Sequence, residues 1–161
     1  MDFRQKILTW DNLVGWRAAV RAAGRRLVVT NGCFDLLHLG HVTYLEQARN
    51  LGDILLVGLN GDAGVQELKG PGRPVNREQD RAGVLAALAS VDAVCIFKEK
   101  TAARFLSIAA PDIYVKGGDY TAATLNQEEL RIVEGAGGRI EILAVVPGQS
   151  TTGLLQKLAE T

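Results

Sequence analysis

Short apolar segments rich in β-branched residues alternate with segments of helical periodicity along the chain. The apolar segments predict five strands, at residues 27–30, 54–59, 93–97, 113–115 and 140–146. The periodic segments predict helices at residues 9–23, 41–51, 77–89, 101–109, 126–136 and 151–159. Because the predicted strands are almost continuously apolar, helices should cover both faces of their sheet. The pattern therefore predicts an α/β fold with a doubly wound, parallel, five-stranded sheet and helices on both faces.

The chain has 161 residues, the length of one typical domain. No internal repeat and no linker-like segment divides it. We predict a leading helical segment over residues 1–24 and a main domain over residues 25–161, within a single domain overall.

The charge and the cysteine content narrow the class of protein. Lysine plus arginine and aspartate plus glutamate number 18 each, so the formal net charge is zero, and no basic excess favours nucleic acid or an acidic membrane. Two cysteines, Cys33 and Cys95, are too few for a disulfide framework. The charged N-terminus leads into no apolar signal segment, and no apolar run has the length of a membrane span. These features predict a soluble, cytoplasmic protein.

Two histidines on either side of a glycine follow the first predicted strand. His38 and His41 are three residues apart, so both imidazoles should lie on one face of a helical turn. Gly40 between them lets a bulky ligand approach the backbone. Unpaired N–H groups at a helix N-terminus favour anions, and imidazoles can donate further hydrogen bonds, so the turn predicts a polyphosphate site. Two alternatives stay open: a zinc site with Cys33 as third ligand, and histidines with a structural role only.

Polar and glycine-containing segments fall at the carboxyl ends of several predicted strands. Doubly wound sheets bind their ligands at this edge. The segments are residues 30–41, 60–62, 116–120 and 148–152. Because the segments should converge at one rim, they predict a single ligand site.

A cluster of glycines between residues 60 and 74 predicts a loop. The segment carries Lys69 and Arg73, and Arg81 follows it. On the same rim as the histidines it would form a mobile, phosphate-binding lid; the alternative is an ordinary solvated basic loop. The chain has neither the G-x-x-x-x-G-K-[ST] motif of P-loops nor G-x-G-x-x-G after the first strand, which disfavours a dinucleotide-binding domain.

Four segments together resemble one family of enzymes. TNGCFDLLHLGH at residues 30–41 resembles the signature of cytidylyltransferase-like nucleotidyltransferases, and STT at residues 150–152 resembles their second signature. KGGDY at residues 116–120 and KGPGRPVN at residues 69–76 resemble one branch, the bacterial D-glycero-β-D-manno-heptose 1-phosphate adenylyltransferases. That branch is often fused to a sugar kinase, and no kinase segment is visible here, so the chain resembles the stand-alone form. The resemblance covers about residues 25–158 and implies a Rossmann-like nucleotidyltransferase domain.

Two departures from the cytidylyltransferase pattern bear on the choice of nucleotide. Relatives that use CTP usually carry an arginine five residues before the serine of the second signature, where this chain has Val145. They also tend to carry an arginine shortly before a Val-Asp pair, where this chain has Ala89 and Ser90 before Val91 and Asp92. Both differences favour ATP over CTP.

The resemblance implies transfer of AMP from ATP to D-glycero-D-manno-heptose 1-phosphate, which gives ADP-heptose and pyrophosphate for lipopolysaccharide or surface-glycan precursors. The implied catalytic residues are His38, His41, Lys69 and Thr151. The implied nucleotide-binding residues are Thr30, Asn31, Gly32, Phe34, Gly40, Lys116, Gly117, Asp119, Tyr120, Ser150 and Thr152. The implied substrate-binding residues are Asp35, Asn60, Asp62, Arg73 and Arg81.

Cofactor and partners follow from the same resemblance. Mg²⁺ is expected with ATP, held mostly by phosphate and water oxygens, and no side chain is predicted to ligate a metal directly. We expect a homo-oligomer, such as a dimer, and neither a nucleic-acid nor a membrane partner. Two other functions stay open: a cytidylyltransferase that acts on a small phosphate ester such as glycerol 3-phosphate, and a non-catalytic nucleotide-binding regulator.

Overall fold

The computed structural model describes residues 2–118, 120–121, 123–144 and 146–160. The strands in these ranges, numbered in chain order, are β1 (Ile7–Leu8), β2 (Leu27–Gly32), β3 (Ile54–Asn60), β4 (Ala93–Phe97), β5 (Ile113–Gly117) and β6 (Arg139–Leu143). They form one sheet in the order β1-β4-β3-β2-β5-β6, and every pair of neighbours is parallel.

Helices connect these strands, as a parallel sheet requires. In the described ranges they are α1 (Trp10–Ala22), α2 (Leu39–Arg49), α3 (Asp62–Lys69), α4 (Glu78–Ala86), α5 (Ala103–Ala109), α6 (Gln127–Gly135) and α7 (Thr151–Ala159). A single 3-10 turn, Phe3–Lys6, precedes β1. Within the same ranges, no helix combines the length and the apolar character that a bilayer crossing needs.

Each face of the sheet carries its own apolar cluster, because successive residues of a strand point to opposite sides. On one face, Val29 and Leu56 pack with side chains from α1, α5 and α6. On the other face, Val28 and Leu55 pack with side chains from α2 and α4. The predicted doubly wound architecture with helices on both faces is therefore confirmed. Burial on both sides also explains why the central strand β3 has no polar residue before Asn60 at its carboxyl end.

The predicted count of five strands is wrong, because an additional strand, β1, lies at one edge of the sheet. Its two residues, Ile7 and Leu8, pair with Val94 and Cys95 of β4. Two residues are too few to show a strand periodicity in the sequence. Directly after β1, Leu13 of α1 is completely buried in the core. The predicted leading segment therefore contributes to the same core as the rest of the described chain.

The predicted loop between residues 60 and 74 is wrong in its first half, where the chain forms α3. Gly61 precedes this helix in an extended conformation, and Gly70 ends it with a φ of 92°. Gly64 lies inside the helix and is buried, and a Cβ there would lie 3.4 Å from the carbonyl oxygen of Glu99. The glycines therefore mark a buried helical position and the two ends of a helix, where the composition had indicated a loop.

The order of the sheet reverses beside β2, since β3 lies on one side of it and β5 on the other. A crevice opens at such a switch point, beyond the carboxyl ends of the two diverging strands. β2 ends at Asn31 and Gly32, and β5 ends at Lys116 and Gly117. The topology therefore favours a ligand site at the rim where the sequence had placed the polar segments.

Candidate active site

A cavity of about 750 Å³ occupies the crevice at the switch point. It is lined by most of the residues that the sequence had indicated: Asn31, Gly32, Phe34, Asp35, His38, Gly40, His41, Asn60, Lys69, Arg73, Lys116, Gly117, Tyr120, Ser150, Thr151 and Thr152. Three other indicated residues, Thr30, Asp62 and Arg81, do not line it. Asp119 lies outside the described residues. The convergence of four distant segments on one site is confirmed.

The two histidines stack on one another at the N-terminus of α2. Their ring centroids are 3.9 Å apart, with an angle of 25° between the ring planes. The ring of Phe34 contacts His41 at a centroid distance of 5.3 Å. Phe34 has a φ of 43°, a left-handed conformation that is uncommon for a bulky residue and recurs at ligand sites. The turn before α2 therefore combines an unusual backbone conformation with a position in the cavity wall.

Both imidazoles are mainly uncharged at neutral pH. Burial lowers the pKa of His38, and burial together with the neighbouring His38 lowers the pKa of His41 to about 4. The Nδ1 atoms of both rings are buried and have no hydrogen-bond partner within the described part of the protein. Because a neutral imidazole has one N–H donor and one acceptor, each ring can donate one hydrogen bond to an oxygen-rich ligand.

The low pKa of His41 makes the free energy of unfolding depend on pH. This imidazole titrates near 6.5 in the unfolded chain and near 4 in the folded protein. The unfolded chain binds more protons between these values, so we expect stability to fall as the pH is lowered from about 6.5 to about 4. The contribution of His41 to this loss is at most about 3 kcal/mol.

Urea unfolding at several pH values across this window, with the parent protein and His41→Asn, tests the expectation. Above about pH 6.5 the His41 contribution should be fully present, because both states are then neutral at this position. The asparagine variant should show a shallower decline of the unfolding free energy with falling pH. An equal decline in the two proteins would contradict the assigned pKa.

Gly40 lies where the segment before α7 packs against the first turn of α2. A Cβ at this position would lie 2.9 Å from the Cβ of Gln149 and 2.9 Å from Nδ1 of His38. Real Cβ atoms do not approach other atoms this closely, so a larger residue would separate the two segments. Gly40 therefore makes room for neighbouring protein atoms and not only for a ligand.

The hydroxyls at the start of α7 hold this helix beside α2. Thr151 Oγ1 donates a hydrogen bond to the carbonyl of Leu36 at 3.1 Å. Ser150 Oγ accepts a hydrogen bond from the N–H of Gly153 at 3.0 Å, so Ser150 is the N-cap of the helix. The first N–H groups of both helices thus lie at the same cavity wall, a position that favours an anion.

Asp35 anchors the segment that follows α3. Its buried carboxylate accepts hydrogen bonds from Arg73 Nε at 2.7 Å, from the N–H of Val75 at 2.9 Å and from the N–H of Asn76 at 3.0 Å. Burial would raise the pKa of Asp35, but these hydrogen bonds and the charge of Arg73 outweigh burial and lower the pKa below its ordinary value. Because three protein donors occupy the carboxylate, Asp35 orients Arg73, and a direct substrate contact by Asp35, as predicted, is not favoured.

Lys69 is the last residue of α3, and its exposed side chain lines the cavity. Its charge acts on Cys33, which lies at the same wall: burial raises the pKa of this thiol, and Lys69, Arg81 and Arg73 oppose that rise. The cavity therefore has a cationic side near the end of α3. A helix end, and not a free loop, sets the position of Lys69.

Arg81 binds the protein and not the cavity, so its predicted role in substrate binding is corrected. Its side chain is fully buried. Nη1 donates to the carbonyls of Cys33 and Asn60 at 2.7 and 2.8 Å, and Nη2 donates to Oδ1 of Asp62 at 2.8 Å. The guanidinium therefore ties α4 to the ends of β2 and β3. Asp62, as the ion-pair partner of Arg81, has a structural role as well.

Thr30 is also structural, in contrast to its predicted contact with a nucleotide. It is completely buried, and its hydroxyl lies 2.7 Å from the hydroxyl of Tyr44. Tyr44 in turn donates to the carbonyl of Val115 at 3.1 Å and lines the cavity. Thr30 thus affects the cavity by holding the side chain of Tyr44 in position.

The cavity wall also contains Cys33 and Gln149, which lie in the predicted rim segments but were given no phosphate-binding role, and residues that the sequence had not indicated: Tyr44, Leu68, Lys100, Thr101, Thr124, Asn126, Glu129 and Val146. Two of them follow the carboxyl end of β4. The rule that located the other segments, polar residues after a strand, would have found these if applied to β4 as well. The residues in and before α6 had no such signal, because their helix follows β5 only after a long connection.

A resident metal ion has no evident site in the described part of the chain. No group of three or more His, Cys, Asp or Glu side chains there could hold one. The zinc alternative for His38, His41 and Cys33 therefore gains no support from the structure. The cavity instead offers N–H groups, neutral imidazoles and cations, which are ligands for phosphate oxygens.

Comparisons with known proteins point to the same class of protein. Residues 29–149 match the cytidylyltransferase-like family. The chain is 46% identical over 160 residues to the bifunctional protein HldE of Syntrophotalea carbinolica, and 51% identical over 159 residues to that of Trichlorobacter lovleyi. Both alignments cover 99% of this chain and 32% of the relative, so the chain spans about a third of the length of these relatives.

A solved structure extends the comparison to the fold. The lipopolysaccharide core biosynthesis protein from Thermoplasma volcanium superposes with a TM-score of 0.63 at 27% sequence identity, over 76% of this chain and 98% of that protein. Its similarity agrees with the Rossmann-like sheet and with the family match over residues 29–149. The chain belongs to the cytidylyltransferase-like family of nucleotidyltransferases.

Proposed function

We propose that the chain transfers AMP from ATP to D-glycero-D-manno-heptose 1-phosphate and releases pyrophosphate. The observation that carries this proposal is the pair of stacked histidines at the N-terminus of α2, beside the N-terminus of α7, in a cavity at the switch point of the sheet. The names of the relatives, bifunctional protein HldE and lipopolysaccharide core biosynthesis protein, support a place in the synthesis of surface-glycan precursors. KGGDY at residues 116–120 supports the heptose branch by its resemblance.

The proposed chemistry is a displacement at phosphorus. An oxygen of the sugar phosphate attacks the α-phosphorus of ATP, the bond to the bridging oxygen breaks, and pyrophosphate leaves with the electron pair. A phosphate monoester, with a second pKa of about 6, is already ionised at neutral pH, so no strong base is needed. The site is consistent with a reaction that needs no base. The two carboxylates among its described residues, Asp35 and Glu129, already accept hydrogen bonds from protein donors.

The site supplies donors and positive charge in fixed positions, which is the main contribution that phosphoryl transfer needs from a protein. His38 and His41 would each donate to the triphosphate. Thr151 would act through its backbone N–H, because its hydroxyl already donates to Leu36. Lys69 would contact the phosphates of both substrates from the end of α3.

Mg²⁺ fits this site as a companion of the triphosphate. Bound mainly by phosphate and water oxygens, it would neutralise charge on the transferred and leaving groups. The described wall offers no cluster of acidic side chains for direct ligation. The protein residues would then orient the phosphates, and titration of activity with Mg²⁺ in the presence of ATP tests the requirement.

The predicted cytoplasmic location and the predicted homo-oligomer, such as a dimer, stay predictions. The proposed substrates, ATP and a sugar phosphate, are compatible with both. Size-exclusion chromatography with light scattering measures the oligomeric state directly.

We expect turnover with ATP to exceed turnover with CTP by at least about tenfold, a difference of about 1.4 kcal/mol in transition-state binding. The reason is the resemblance of residues 116–120 to the adenylyl branch and the valine at position 145, where CTP-using relatives carry arginine. Position 145 itself lies outside the described residues. A screen of pyrophosphate release, with four nucleoside triphosphates against several sugar 1-phosphates and glycerol 3-phosphate, gives the comparison.

The same screen separates the alternatives. Preference for ATP with heptose 1-phosphate supports the proposal. Preference for CTP with glycerol 3-phosphate would assign the chain to the cytidylyltransferase branch. Binding of ATP without pyrophosphate release in any combination would contradict both.

A further inference from the structure

Glu129 is a buried acidic residue of the cavity wall to which no sequence motif pointed. It lies in α6, it is 7% exposed, and it lines the cavity. A carboxylate buried to this extent destabilises the folded state unless hydrogen bonds compensate for the lost water. The partners of Glu129 therefore indicate what the residue organises.

Both carboxylate oxygens of Glu129 accept hydrogen bonds from other elements. Oε1 accepts the N–H of Ala102, the N-cap residue of α5, at 2.9 Å. Oε2 accepts a hydrogen bond from the hydroxyl of Tyr114, the second residue of β5, at 2.9 Å. The carboxylate thus joins α6 to the start of α5 and to β5 of the sheet.

Tyr114 extends this connection to the cavity. Its hydroxyl also lies 2.5 Å from Oδ1 of Asn31, at the carboxyl end of β2. The same amide oxygen accepts a hydrogen bond from Nζ of Lys116 at 3.2 Å. The tyrosine hydroxyl has a single proton, which the two acceptors Glu129 Oε2 and Asn31 Oδ1 share, so close polar contacts connect Glu129 through Tyr114 and Asn31 to the ammonium group of Lys116.

We infer that Glu129 is a positioning residue for Lys116: through Tyr114 and Asn31 it holds the ammonium group at the switch-point wall, facing the negative charge of the bound nucleotide. The inference rests on the proposed function for the identity of that nucleotide. Lys116 has a long, flexible side chain, so a fixed partner at its end reduces the entropy lost on ligand binding. Glu129 acts at a distance and does not contact the nucleotide itself.

The charges around Lys116 support this arrangement. Burial lowers the pKa of Lys116, whereas the carboxylate of Glu129 and the thiol of Cys33, when ionised, raise it. The rings of Tyr114 and Tyr120 lie 5.6 and 5.2 Å from Nζ and favour a cation between them. Removing the charge of Glu129 lowers the pKa of Lys116 further, so the ammonium group would lose its proton at a lower pH. Activity that needs the protonated Lys116 should therefore decline at a lower pH, on the alkaline side of the pH profile, than it does in the parent.

The test compares Glu129→Gln with Glu128→Gln. Glu129→Gln keeps the size and one acceptor oxygen but removes the charge, and Glu128→Gln removes a charge from an exposed neighbour on the same helix. Two quantities are measured against pH: kcat/KM for ATP, and the rate at which an amine-acylating reagent labels Lys116, followed by mass spectrometry. We expect Glu129→Gln to lower kcat/KM about tenfold, the loss of one charge-assisted hydrogen bond, and to shift the alkaline limb and the labelling curve to lower pH. Glu128→Gln should follow the parent in both.

Tyr114→Phe tests the connection itself, because it removes the hydroxyl and keeps the ring. It should lower kcat/KM for ATP in the same direction, and it decides the question if Glu129→Gln does not fold. Parental kinetics together with a parental labelling curve in a folded Glu129→Gln, or parental kinetics in Tyr114→Phe, would overturn the inference. If the parent releases no pyrophosphate with any substrate pair, the proposed function fails, whereas the labelling of Lys116 still decides the role of Glu129.

Discussion

Replacing His41 with alanine is expected to lower turnover by about a hundredfold, which corresponds to about 3 kcal/mol of transition-state stabilisation. His38→Ala should have an effect of similar size. Each change removes an N–H donor from a cavity whose helix N-termini stay in place. Because the two rings are mainly neutral and stack on one another, their loss should change the free energy of unfolding far less than it changes turnover. Steady-state rates and urea unfolding of the same variants measure both effects.

Leu39→Ala is the matched control for these variants. Leu39 lies between the two histidines, its side chain is 65% exposed, and it does not line the cavity. The control should therefore retain the turnover of the parent. If either histidine variant also retained it, that imidazole would be structural. If all three variants lost activity together with stability, the first turn of α2 would matter only for the fold.

The sequence predicted the fold well where burial on two faces leaves an unambiguous pattern. The strand at residues 54–60 is buried at every position, and its apolar run was readable for that reason. The edge strand Ile7–Leu8 could not be predicted from the sequence, because two residues show no periodicity. The helix Asp62–Lys69 was mistaken for a loop, because glycine frequency does not distinguish a flexible loop from a buried helical position such as that of Gly64.

The sequence also placed the site at the correct edge of the sheet, but it did not separate residues that face the cavity from residues that support it. Arg81 carries the charge that a phosphate site needs, yet four oxygens of the protein accept hydrogen bonds from its guanidinium. Asp35 belongs to the signature segment, yet it holds Arg73 and two backbone N–H groups. Such assignments depend on the orientation of side chains, which the pattern of residue types does not determine.

The charge state of the histidines could likewise not be predicted from the sequence. It depends on burial and on the stacking of one imidazole against the other. A neutral pair changes the expected role, because the positive charge of the site then comes from the lysines and arginines at the wall. Lys69 is exposed, and no hydrogen-bond or ion-pair partner holds its ammonium group within the part of the chain that the structure describes.

Lys69→Ala is accordingly expected to lower turnover by about a hundredfold, with a much smaller change in the affinity for ATP. Lys69 ends α3 directly before Gly70, whose φ of 92° turns the chain away from the helix. The helix thus fixes the backbone of Lys69, and the side chain alone must order when ligand binds, which costs at most about 2 kcal/mol of rotamer entropy. The ammonium group would contribute most when the phosphates of donor and acceptor are in line, because negative charge is then shared between them.

Calorimetric binding of ATP and steady-state rates on Lys69→Ala provide the measurement, with Lys98→Ala as the matched control. Lys98 is an exposed lysine that does not line the cavity, so its removal changes the net charge equally and should leave turnover unchanged. A loss confined to the affinity for ATP would make Lys69 a nucleotide-binding charge and not a catalytic one. Parental turnover would reduce it to a surface residue at the end of α3. A large loss of turnover with ATP binding largely retained is the result that the position of Lys69 at the cationic side of the cavity leads us to expect.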